Sequence, residues 1–110
     1  MKILRVNGDE GSGKSTLAIS QLSEHRDNFL IIGDKSNERK RTNQVPMNHI
    51  GNVAKCNEKD RIIGREFHSL IVDEWNRCLP NLLEVFECDT EESLIKKIEE
   101  IGTQRLVIIN

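Results

Sequence analysis

Gly8-Asp9-Glu10-Gly11-Ser12-Gly13-Lys14-Ser15-Thr16 matches the pattern G-x-x-x-x-G-K-[ST] at every fixed position. The pattern has a physical basis. Gly8, Gly11 and Gly13 lack a Cβ, so the backbone can turn tightly and aim successive N–H groups at an anion that a side chain would otherwise displace. Lys14 brings a positive charge to the outer phosphates of a polyphosphate, and the Ser15 hydroxyl is a hard oxygen ligand suited to Mg²⁺. A helix starting at this point adds the positive end of its dipole and its unpaired N–H groups.

The flanks agree with that reading. Lys2-Ile3-Leu4-Arg5-Val6-Asn7 has the β-branched and aliphatic content of a strand. Ser15 through Leu22 carries Leu17, Ala18 and Leu22 on one helical face. Strand, glycine turn and helix in that order separate a phosphate loop from a chance glycine-rich string.

Downstream, Arg26-Asp27-Asn28 is a polar break, and Phe29-Leu30-Ile31-Ile32-Gly33 is a continuous apolar run. Such runs suit parallel strands covered on both faces. From Asp34 to Glu66 the pattern fades. Pro46 breaks any helix, Ile50, Val53 and Ala54 hint at one or two helical turns, and Arg61-Ile62-Ile63-Gly64 reads as a short strand or a turn. His68-Ser69-Leu70-Ile71-Val72-Asp73-Glu74 is the second landmark: an apolar strand ending in adjacent carboxylates. In open parallel sheets, ligands bind outside the carboxyl ends of the strands.

Trp75 to Glu87 reads as a helix interrupted at Pro80, or as two short pieces. Asp89 to Gly102 is the clearest helix. Asp89 is suited to cap it, Glu92 stands three residues on, Gly102 stops it, and Leu94, Ile95, Ile98 and Ile101 form its apolar stripe. Arg105 to Asn110 is a further strand. The expected fold class is α/β: a three-layer arrangement of a mostly parallel, four- to five-stranded sheet with helices on both faces.

Composition sets the frame. The 110 residues suffice for one domain, 1–110, and not for two. No apolar run approaches the ~20 residues of a membrane span, and no signal-peptide pattern opens the chain. Cys56, Cys78 and Cys88 have neither C-x-x-C spacing nor an even count. They suit a reducing cytoplasm and small, partly buried side chains. A net charge of −2 gives no global attraction to nucleic acid. Lys35, Arg39, Lys40 and Arg41 nonetheless form a local basic cluster, which marks the one candidate nucleic-acid contact.

The loop from Gly8 to Thr16 together with Asp73-Glu74 resembles the P-loop NTPase superfamily, and the resemblance involves the whole chain. It implies the minimal fold of that superfamily, ATP with Mg²⁺ as ligands, Ser15 and Asp73 on the metal, and Lys14 on the phosphates. The adjacent Glu74 resembles the division whose members place a catalytic glutamate beside the metal aspartate, where it polarises the attacking water. In that division a fourth strand lies between the loop strand and the Asp-Glu strand, and a polar residue at its end senses the γ-phosphate. Asn110 occupies the matching position.

Ser69 to Pro80, and Glu100 to Asn110, are also similar in order to the FtsK–HerA group, which includes viral DNA-packaging and filamentous-phage assembly ATPases. That group ends the strand in glutamine, continues into at least one further strand and is about twice as long, and its arginine finger has no secure counterpart here. Arg61, Arg65, Arg77 and Arg105 are the candidates. The strand order of the glutamate-bearing division would leave Lys2–Asn7 at a border of the sheet. A homo-oligomer built on that open edge is therefore expected. The order found in nucleotide kinases and GTPases would instead put that strand inside. The alternatives to an ATPase are a small nucleotide or nucleoside kinase and a non-catalytic nucleotide-binding module.

Overall fold

The computed structural model describes residues 1–7, 28–34 and 52–110. Their elements run β1 (Lys2–Val6), β2 (Phe29–Gly33), β3 (Val53–Lys55), α1 (Lys59–Ile63), β4 (Ser69–Val72), α2 (Trp75–Val85), α3 (Glu91–Glu100) and β5 (Arg105–Ile109). The five strands form one sheet in the order β1-β5-β4-β2-β3. Every pairing is parallel. The fold is therefore α/β, as expected, with all rather than most of its described strands parallel. β5 lies between β1 and β4, and β1 forms a border among the described residues.

Strand burial follows the apolar runs. All residues of β2 and β4 are buried, as are the last four of β5, which is the pattern of strands covered on both faces. Side chains alternate between two clusters with period two. Leu30, Ile32, Leu70, Val72, Leu106 and Ile108 join residues from all three described helices on one face. Phe29, Ile31, Ile71, Val107 and Ile109 face the other way, with Val6 of β1. The helix expected after Ser15 lies outside the described residues, so helices are described on one face only.

α2 packs through Trp75, Cys78, Leu82 and Val85, a 3-4-3 spacing that makes one stripe. Contrary to the expected interruption, it runs unbroken through Pro80. Pro80 and Asn76, whose carbonyl loses its partner four residues on, are both exposed, so the ring projects into solvent and water can satisfy the freed acceptor. The helix ends in a left-handed residue, Glu87 at φ 56°. Cys88 N–H donates to Leu83 C=O at 2.8 Å and Glu87 N–H to Glu84 C=O at 3.1 Å, the paired bonds of a Schellman end.

α3 begins one residue later than the sequence suggests. Its cap is Thr90, not Asp89: Thr90 is extended, and its hydroxyl accepts from Ser93 N–H at 3.1 Å. Leu94 and Ile98 are buried, with Ile95 and Ile101 partly so, as the stripe predicts. Gly102 follows at φ 98°, a conformation in which a Cβ is strained. The expected helical turn at Val53 and Ala54 is instead the strand β3, which borders the sheet among the described residues and pairs with Ile31 and Ile32. Arg61 to Ile63 is helix, where a strand or turn was expected, because Ile62 alone of that run is fully buried.

Trp75, the single tryptophan, is buried and so reports unfolding by fluorescence. In urea titrations read this way, Gly102→Ala will lower stability by about 1–2 kcal/mol through its backbone conformation. Thr103 is 2% exposed, and its hydroxyl has no hydrogen-bond partner among the described residues. Thr103→Val will raise stability by about 1 kcal/mol in the same assay.

Candidate phosphate and magnesium site

The parallel register brings the carboxyl ends of four strands to one edge. Val6 pairs with Ile109, Ile108 with Val72, and Val72 with Ile32. The residues that follow therefore form a row two positions deep: Asp73 and Gly33 stand level with Val6 and Ile109, and Asn7, Asn110 and Asp34 stand one position beyond. Backbone bonds extend the ladder into this row. Asn110 N–H donates to Val6 C=O at 3.0 Å, and Asp73 N–H to Ile32 C=O at 2.7 Å. Asn110 Nδ2 donates to Asn7 Oδ1 at 3.3 Å, tying the ends of β5 and β1.

Asp73 and Glu74 form the turn from β4 into α2. Asp73 is 9% exposed. Its carbonyl accepts from the Cys78 thiol at 3.3 Å, so a buried residue of α2 holds the turn from beneath. Glu74 has φ 55° and ψ 54°, the left-handed region, which costs a non-glycine residue about 1–2 kcal/mol. Its carbonyl accepts the first helical bonds, from Arg77 and Cys78 N–H at 2.9 and 3.0 Å. Its carboxylate pairs with Arg77 at 3.2 Å, with side chains 28% and 67% exposed. A pair that exposed is worth at most about 0.5 kcal/mol, so tertiary packing rather than this contact holds the strained turn. Trp75 is the nearest anchor. Its Nε1–H donates to Glu91 Oε1 at 2.8 Å, and the same oxygen lies 3.8 Å from Arg5 of β1.

Asp73, Glu74 and Asn110 thus lie on one edge, in the row entered by Asn7. Gly8, Asp9, Glu10, Gly11, Ser12, Gly13, Lys14, Ser15 and Thr16 lie outside the described residues, as do Lys35, Arg39, Lys40 and Arg41. Of the four candidate arginines, only Arg77 is placed beside the acidic pair. Arg105 begins β5 at the opposite edge, where its Nε donates to Ser69 Oγ at 3.4 Å. Arg61 pairs with Glu58 at 3.5 Å, and Arg65 lies over the Phe67 ring. Sequence reasoning passed over two residues of the row, Asn7 and Asp34. Asp34 had a signal: like Asp73, it is a carboxylate directly after an apolar strand.

Among the described residues no group of three or more histidine, cysteine or acidic side chains could hold a metal ion. Mg²⁺ is typically held by one or two carboxylates together with substrate phosphates and water, and Asp73, directly after β4, is the carboxylate the sequence nominates for it. No helix among the described residues is long and apolar enough to cross a membrane. Comparison with protein-family models, curated proteins and solved structures found no match to this chain.

Because glycine adopts the left-handed conformation without penalty, Glu74→Gly will raise stability by about 1 kcal/mol. Glu74→Gln, which keeps the strain, will stay within about 0.5 kcal/mol of the parent. Urea titration followed by Trp75 fluorescence distinguishes the two.

Proposed function

We propose that this chain binds a magnesium–nucleoside triphosphate, ATP by preference, and hydrolyses it. The observation that carries the reading is the row at the carboxyl edge of the sheet. Insertion of β5 between β1 and β4 sets Asn110 between Asn7, which leads into the glycine loop, and Asp73. This order also favours the glutamate-assisted class over the order of nucleotide kinases, in which β1 would be interior.

In this reading the backbone amides from Gly8 to Thr16 wrap the phosphates, and Lys14 neutralises the β- and γ-groups. Ser15 and Asp73 would hold Mg²⁺, which when bound would further neutralise the phosphate charge. Glu74 accepts a proton from water as the water oxygen bonds to the γ-phosphorus and the bond to the bridging oxygen breaks, releasing the diphosphate and inorganic phosphate. Asn110 donates from its amide toward the γ-phosphate. Arg77 is the candidate cation within the same chain. Work on nucleic acid through Lys35, Arg39, Lys40 and Arg41 is the output this reading favours.

The test is ATP binding and phosphate release, with and without DNA. Lys14→Ala will weaken binding at least tenfold. Glu74→Gln will retain binding and lose turnover by about 100-fold or more. Turnover in Glu74→Gln equal to the parent would remove that carboxylate from the chemistry, and failure of the parent to bind Mg-ATP would overturn the proposal.

A further inference from the structure

The border strand β1 carries a second message, independent of the nucleotide. Lys2 N–H donates to Gln104 C=O at 2.9 Å, and Val6 C=O accepts from Asn110. With Lys2, Leu4 and Val6 paired to Arg105, Val107 and Ile109, those three residues turn their backbone groups toward β5. The N–H and C=O groups of Ile3 and Arg5 then point outward, along an edge with no neighbour among the described residues. Ile3 is 42% exposed, one of two large hydrophobic side chains so exposed among the described residues. A border strand with outward backbone groups and an exposed Ile3 between its two charged residues is a template for another strand.

We infer that a second copy of this chain fills that edge, β1 against β1, antiparallel about a two-fold axis at Leu4. The pattern is self-complementary in this register. Ile3 and the partner's Arg5 exchange both backbone bonds, and Arg5 does the same with the partner's Ile3, giving four bonds about the axis. The two Leu4 residues face each other as a non-hydrogen-bonded pair, the closer kind in an antiparallel ladder. Their side chains extend the apolar cluster of Val6, Val107 and Ile109, against which Leu4 already packs.

Charge agrees with this register. Lys2 stands opposite the partner's Val6 and Arg5 opposite the partner's Ile3, so no like charges are directly apposed. The two Arg5 side chains come together only diagonally, and each has Glu91 of its own chain at 3.8 Å. A parallel arrangement needs a one-residue offset between the two strands and so lacks this two-fold symmetry. The result is a continuous ten-stranded sheet whose two carboxyl edges face in opposite directions. Neither copy then reaches the other's Asp73–Glu74 turn through this interface, so an arginine finger in trans is not supplied by it.

The register is tested by disulfide trapping. In a Cys88→Ser background, Cys56 and Cys78 are buried. There, Leu4→Cys will oxidise to a covalent dimer, because the paired α-carbons stand about 4.5 Å apart, within disulfide reach. Lys2→Cys will not, because its nearest counterpart lies four residues away along the partner strand. Ile3→Pro removes an outward N–H without touching the ladder to β5. It will abolish the dimer seen by sedimentation at high protein concentration while keeping the native circular dichroism and Trp75 fluorescence. A monomeric parent at high concentration, no covalent dimer from Leu4→Cys, or equal trapping by Lys2→Cys would each overturn the inference.

Discussion

The parallel ladder that β5 makes on both of its sides is the constraint on which the rest of this structure depends. Its bonds to β1 and β4 align three strand ends to within one residue. No side chain at the carboxyl edge has to be long to meet its neighbours there. Parallel strands offer this directly, because every chain direction, and hence every strand end with its following turn, points the same way. The buried residues Leu106 to Ile109 hold the ladder in register. A slip of one residue would turn Leu106 and Ile108 away from the helical face and send Val107 into it.

On that frame rests a turn that is locally unfavourable. Glu74 is left-handed, and the Arg77 pair is too exposed to hold it there. Its neighbours on both sides are buried: Val72 before it, Trp75 and Cys78 after it. The direction of α2 is set by the stripe that ends in Leu82 and Val85. With both flanks fixed, the intervening residue takes the conformation that joins them, and its carboxylate meets Arg77 in the first turn of α2. Residues at such positions are often retained for what they face rather than for how they fold.

The sheet was legible because its strands are short, apolar and punctuated: Phe29–Gly33, Leu70–Val72 and Leu106–Ile109 announce themselves by continuous hydrophobicity. The Asp73–Glu74 pair was legible for the same reason, as a sharp polar stop. Other features depend on tertiary context and left weaker marks. Val53–Lys55 is three residues long and becomes a strand only because Ile31 and Ile32 offer it an edge. Pro80 ends helices in isolation, yet is tolerated where its ring and the freed carbonyl both face water. The choice of Thr90 over Asp89 as cap turns on which residue is extended, and both are good caps by type. Asp34 was hidden at the head of a long polar segment whose visible mark is the basic cluster that follows it.

The bond between Asn7 and Asn110 spans 103 positions, and it has a consequence in time. Of the five described strands β1 is made before the others, yet the neighbour that fixes it, β5, comes about a hundred residues later. Until then its apolar run has nothing in the sheet to pair with. Long-range parallel pairing is slow to form, and unpaired strands are prone to aggregate while they wait. The β1–β5 part of the carboxyl-edge row can therefore form only after β5 has been made, and a nascent chain halted short of β5 would lack it.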